Sequence, residues 1–126
     1  MKKNFKLTAL MLCALFFAVL AFTPSKHYLT GQWVSYYGNG KKISYDFRTN
    51  GTFKVFIPEE SFTVEGKYTL KNNILSFNDG TCGLNYWGTY KTTFNGDDSI
   101  YSVVIEDSCM PRKSSVDKTT LIRVKQ

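Results

Sequence analysis

Past residue 40 the chain alternates between apolar and polar positions. Ile43, Tyr45 and Phe47 share one parity while Lys42, Ser44, Asp46 and Arg48 take the other. The same pattern runs longer from Phe62, with Val64, Tyr68 and Leu70 on one side and Thr63, Glu65, Lys67, Thr69 and Lys71 on the other. A period of two is the mark of a strand with one face buried and one in water. Beyond the first 22 residues no stretch keeps the 3.6-residue apolar period of an amphipathic helix. Turn chemistry separates the runs at Gly38-Asn39-Gly40, Asn50-Gly51, Pro58-Glu59-Glu60, Asn72-Asn73, Asp79-Gly80 and Asn95-Gly96. Spacers this short permit hairpins and not parallel crossovers, which need a dozen or more residues. The expected fold is therefore all-β, an antiparallel up-and-down meander of about eight strands. A small closed or partly closed barrel suits that count, because closure removes edge strands; a two-sheet sandwich is the alternative.

The N-terminus differs from everything after it. Lys2, Lys3 and Lys6 precede an uncharged apolar run from Leu7 to Phe22, and Val19-Leu20-Ala21 ends in a small residue. This is the layout of a cleavable signal peptide, residues 1–21, with residues 22–126 as one domain. A retained membrane anchor is the competing reading, since the run is close to spanning length. Lipid attachment does not fit, because Cys13 follows Leu12 in the middle of the run. Taking 21 residues from the 126 leaves 105, and taking three lysines from a formal charge of +6 leaves +3. That charge is scattered singly among acidic residues, which argues against nucleic acid as a partner. The expected location is secreted or periplasmic, with no stable membrane anchor after cleavage.

Two cysteines then remain, Cys82 and Cys109, and an even count in an oxidising compartment favours a disulfide. If Asn95-Gly96 forms a two-residue type I′ loop, Phe94 pairs with Asp97, and the same register sets Tyr90 against Tyr101, Gly88 against Val103, Tyr86 against Ile105 and Cys82 against Cys109. A three-residue loop, Gly96 to Asp98, would put Tyr86 opposite Ser108 and Gly88 opposite Glu106, mixing the faces. A thiolate nucleophile lacks a nearby base, since His27 is the single histidine, and two cysteines with one distant histidine do not make a metal site. No cofactor is implied. Pro111, Arg112 and Lys113 are expected in a solvated loop after the disulfide, or else Arg112 reaches across the barrel mouth to close it.

Short motifs recur on these strands. Leu29-Thr30-Gly31 leads to Trp33, the hairpin Asn50-Gly51-Thr52-Phe53 follows an aromatic strand, and Gly66-Lys67-Tyr68 and Gly88-Thr89-Tyr90 each open a later strand. Over nearly all of residues 22–126 the chain resembles small secreted bacterial lipocalin-like domains of calycin type, whose L-x-G-x-W opens the first strand. The resemblance implies a barrel that holds a small apolar molecule. It also implies that Trp33 caps the closed end, with Arg123 packed over its ring; a plain core role for Trp33 is the alternative.

Inward positions are expected at Trp33, Tyr45, Phe47, Val55, Phe62, Val64, Tyr68, Leu70, Phe77, Tyr86, Tyr90, Tyr101, Val103 and Ile105. The leading expectation is a secreted, non-enzymatic binding protein of lipocalin-like type. A small apolar or amphipathic ligand would sit at a barrel mouth among Trp33, Tyr45, Phe62, Tyr68, Tyr86 and Tyr90, tyrosine hydroxyls being groups that need partners when buried. The second is a protein-binding surface around a filled barrel, an inhibitor or adhesion accessory using Tyr36, Phe56 and Trp87 as aromatic anchors. Catalysis is not expected: the pairs Glu59-Glu60 and Asp97-Asp98 are ordinary solvated turn residues.

Overall fold

The computed structural model describes residues 28–38 and 40–126. The signal peptide expected over residues 1–21 lies outside the described residues. Eight strands follow one another: β1 (Gly31–Tyr37), β2 (Lys41–Phe47), β3 (Thr52–Ile57), β4 (Phe62–Lys71), β5 (Ile74–Asp79), β6 (Gly88–Asn95), β7 (Ser99–Glu106) and β8 (Thr119–Arg123). Each pairs antiparallel with its neighbour, and β1 pairs with β8, so the sheet closes into a barrel in sequence order. Closure rules out the sandwich and leaves no open edge. A 3-10 turn, Pro58–Glu60, links β3 to β4, and a short helix, α1 (Met110–Val116), lies between β7 and β8.

The alternation read from the sequence holds in β2, where Ile43, Tyr45 and Phe47 are buried. The inward residues differ in size along the barrel axis. At the end reached by the tight turns, Phe47, Phe53, Tyr68 and Phe77 pack ring against ring, with Phe47 centred 5.0 Å from Tyr68 and Phe53 5.2 Å from Phe77. Offset and edge-on ring pairs at such distances are favourable beyond the area they bury. Toward the other end the inward positions of β2, β3 and β4 carry shorter side chains, Ile43, Val55, Ile57 and Val64, and space remains between them.

The β6–β7 hairpin corrects the expected register. Asn95 pairs with Ser99, Phe94 with Ile100 and Tyr90 with Val104, so the loop is the three residues Gly96 to Asp98. The shift is odd in number and exchanges the faces of β7. Ile100 and Ser102 point inward, whereas Tyr101, Val103 and Ile105, expected inside, face out, Ile105 with 57% of its surface exposed. β7 carries apolar residues on both faces, Ile100 and Val104 on one and Tyr101, Val103 and Ile105 on the other, so alternation could not choose its inner face. Arg123 decides between the loops: its backbone N–H donates to Asp98 O and its Nε to Asp97 O. Tyr86 also departs from expectation; it precedes β6 in an exposed loop.

The disulfide between Cys82 and Cys109 is present, with the Cα atoms 5.7 Å apart. It is not the cross-strand pair that the assumed register implied. Cys82 lies in the loop between β5 and β6, and Cys109 immediately precedes α1. Nor do Pro111, Arg112 and Lys113 form a solvated loop: they belong to α1, and Arg112 is only 6% exposed. About two turns of helix is too short to show a period. Its sequence signals are a proline at the second position and the i, i+4 pair Arg112 and Val116, both buried on the barrel side.

Candidate functional site

One end of the barrel is sealed by Trp33. Its ring is fully buried, its Nε1 donates to Leu29 O at 2.7 Å, and the Arg123 guanidinium carbon stands 4.1 Å from its ring centre. Arg123 also donates from Nη1 to Thr30 O and from Nη2 to Tyr28 O. Gly31 makes this possible: at φ 122° it occupies a region that favours glycine, and the Arg123 guanidinium passes close over it. The cation over the indole face and the full set of carbonyl acceptors form a plug.

The opposite end is built around a second arginine. Arg112 on α1 donates from Nε to Asp107 Oδ2 at 2.7 Å and from Nη2 to Asp107 Oδ1 at 2.9 Å, a fork-to-fork pair. The same Nη2 donates to Tyr86 O, and Nη1 faces Asp79 Oδ2 at 3.5 Å. Asp107 receives further bonds from the Tyr90 hydroxyl and the Cys109 backbone N–H. Burial by itself pushes the Asp107 carboxyl up, but the bonds from Arg112, Tyr90 and Cys109 outweigh it and hold the group below the ordinary carboxylate value. Burial likewise pulls Arg112 down, and its bonds to Asp107 raise it above its usual value. Burial and then the bond to Asp107 raise the Tyr90 phenol. The ions are thus mutually stabilised, with Gly88 beneath them: a Cβ there would collide with the Asp107 carboxylate.

A cavity of about 330 Å³ opens beside this cluster. Tyr45, Phe53 and Phe77 of the aromatic stack line it, as do Ile43, Val55, Ile57 and Val64 from the walls. The rim carries Tyr37, Glu60, Phe62 and the α1 residues Pro111, Ser114 and Ser115, while Arg112 and Asp79 supply the buried polar surface. Burial pushes the Tyr45 phenol up to about 12 against a smaller downward pull from Ser35, so it stays neutral. At the rim Glu60 is held low by a 2.6 Å bond from Lys41, which is raised in return.

The structure brings together only part of the predicted binding set. Tyr45 and Phe62 line the cavity. Tyr90 stands behind it, bonded to Asp107, and Tyr68 turns to the tightly turned end, where its hydroxyl donates to Arg48 O. Trp33 belongs to the plug, and the Tyr86 side chain is exposed while its carbonyl serves Arg112. Sequence reasoning did not find Asp79 or Asp107 as site residues, each standing alone among turn-forming neighbours. For Arg112 the sequence leaves open both a solvated loop and a reach across the barrel mouth. The three proposed surface aromatics are exposed: Tyr36 and Phe56 lie on β1 and β3, on either side of β2, and Trp87 immediately precedes β6.

Among the described residues no helix is long and apolar enough to cross a membrane, and no three His, Cys, Asp or Glu side chains converge as metal ligands. The closed antiparallel barrel of eight strands is compatible with a calycin-type fold, and the disulfide is compatible with a secreted or periplasmic location. Comparison with protein-family models, with curated proteins and with solved structures finds no match to this chain.

Proposed function

We propose that this protein is a secreted, non-enzymatic binding protein of lipocalin-like type that holds one small, largely apolar molecule in the barrel end beneath α1. The observation that carries the reading is the cavity of about 330 Å³, walled mainly by aliphatic and aromatic side chains with the buried charged pair Arg112 and Asp79 in its lining. Binding sites have this composition: apolar surface supplies the driving force and a few convergent polar groups fix orientation. A dry apolar cavity of roughly 150 Å³ accommodates a benzene ring, so about twice that volume suits a molecule of about a dozen heavy atoms. Asp107 is bonded to Arg112 and Glu60 to Lys41, so neither carboxylate is free to act as a base, which supports binding over catalysis. Both cysteines of the described residues are joined in the disulfide, which supports export to an oxidising compartment.

A neutral naphthylamine fluorophore tests the reading. Saturable, equimolar enhancement at micromolar concentration is expected, and Val64→Phe, which fills the cavity, should abolish it. Enhancement that never saturates, or that survives Val64→Phe, would move the function to the outer surface.

A further inference from the structure

The polar spot in the cavity is specific in what it can accept. On Arg112, Nε and Nη2 are taken by Asp107 and the Tyr86 carbonyl. Nη1 is buried and has no hydrogen-bond partner. Asp79 Oδ2 stands 3.5 Å from it, an ion-pair distance beyond ordinary hydrogen-bond length. Asp79 Oδ1 is occupied by the Thr81 N–H at 2.8 Å. Arg112 and Asp79 both belong to the cavity wall, so an unused donor and a partly used acceptor lie side by side within one stretch of a largely apolar lining. A buried donor without a partner is costly, and a ligand that satisfies it recovers that cost on binding.

Charge narrows the choice. The guanidinium of Arg112 faces two carboxylates, Asp107 and Asp79, so the cluster carries a formal net charge of −1. Glu60 at the rim is neutralised by Lys41. A ligand carboxylate would reach Nη1 only by also lying against Asp79. An ammonium would suit Asp79 but has no lone pair for Nη1. A hydroxyl or primary amide accepts from Nη1 and donates to Asp79 Oδ2 with the same head group.

We infer that Arg112 Nη1 and Asp79 Oδ2 form a recognition site for a neutral head group that both accepts and donates a hydrogen bond, carried on a short apolar chain. This rests on the proposed ligand-binding function and specifies the ligand's chemistry. Cavity size sets the companion limit of about a dozen heavy atoms.

The test compares octanol, octanoate and octylammonium on the purified, isotope-labelled protein, at a pH where the last two are ionised, by amide and arginine Nε–H chemical shifts. Octanol is expected to bind at least about tenfold more tightly than either ion, with the Arg112 Nε–H resonance shifting. In Asp79→Asn the cluster becomes neutral, and the preference for octanol over octanoate should shrink several-fold. Octanoate or octylammonium matching octanol, or an unchanged preference in a folded Asp79→Asn, would overturn the head-group inference and leave ligand binding standing. If none of the three binds the folded protein, the ligand-binding reading itself falls. Should Asp79→Asn not fold, the three-ligand ranking on the unaltered chain decides alone.

Discussion

Each end of this barrel is organised by one arginine, and the two are held by different chemistry. Arg123 lies over Trp33 and gives its donors to backbone carbonyls of Tyr28, Thr30 and Asp97. Those acceptors are neutral and close to solvent, so the contact is a lid on a filled interior. Arg112 gives its donors chiefly to the Asp107 carboxylate, away from water, and keeps Nη1 free of hydrogen bonds beside a cavity. Both arrangements need a glycine under the side chains, Gly31 at one end and Gly88 at the other. The difference is in what each end has left over. The donors of Arg123 all go to neutral carbonyls and complete a plug, whereas Arg112, set among carboxylates, keeps one buried donor without a hydrogen bond.

Breaking each arginine's main contact exposes this contrast most strongly. Asp107→Ala strands a buried guanidinium and orphans the Tyr90 hydroxyl, so a loss of about 3–5 kcal/mol in urea denaturation is expected. Arg123→Ala leaves carbonyls that water can reach and removes one cation–π contact, for an expected loss of about 1–2 kcal/mol. Equal losses would mean that the two ends are energetically alike.

Added volume separates the ends by a smaller amount. Leu75 is fully buried on β5 at the end of the tight turns, and Leu75→Phe should cost about 1–3 kcal/mol through overpacking. Val64 borders the cavity, and Val64→Phe should cost less than about 1 kcal/mol because the ring has space to occupy. A large loss at Val64 would show that the cavity closes in solution.

The mildest probe is pH. Asp107 is held below its unfolded-state value, so its contribution is fully present above that value and is lost as pH falls through the folded one, below about pH 4. Exposed Glu60, also held low, acts in the same direction. Between neutral pH and pH 3 the denaturation midpoint of the unaltered chain should therefore fall further than that of Asp107→Asn. A parallel fall would remove Asp107 as the source.

Alternating positions in β2 and β4, together with the turn dipeptides, were enough to read an antiparallel meander of eight strands, because burial on one face imposes a period of two wherever the other face is polar. Pairing Cys82 with Cys109 was also within reach, since two cysteines in an oxidising setting have one partner each. The register of β6 on β7 was not, because β7 is apolar on both faces and the loop is chosen by Arg123, which comes 25 residues after Asp98 in the chain. The site was readable only in part for a related reason. Tyr45 and Phe62 announce themselves as inward aromatics, but Asp79, Asp107 and Arg112 look like turn and surface residues until barrel closure brings β5, the end of β7 and α1 together. Local pattern sets which face of a strand is buried. Which charged groups meet inside, and where space is left unfilled, depends on contacts between segments distant in the chain, and these exist only once the barrel has closed.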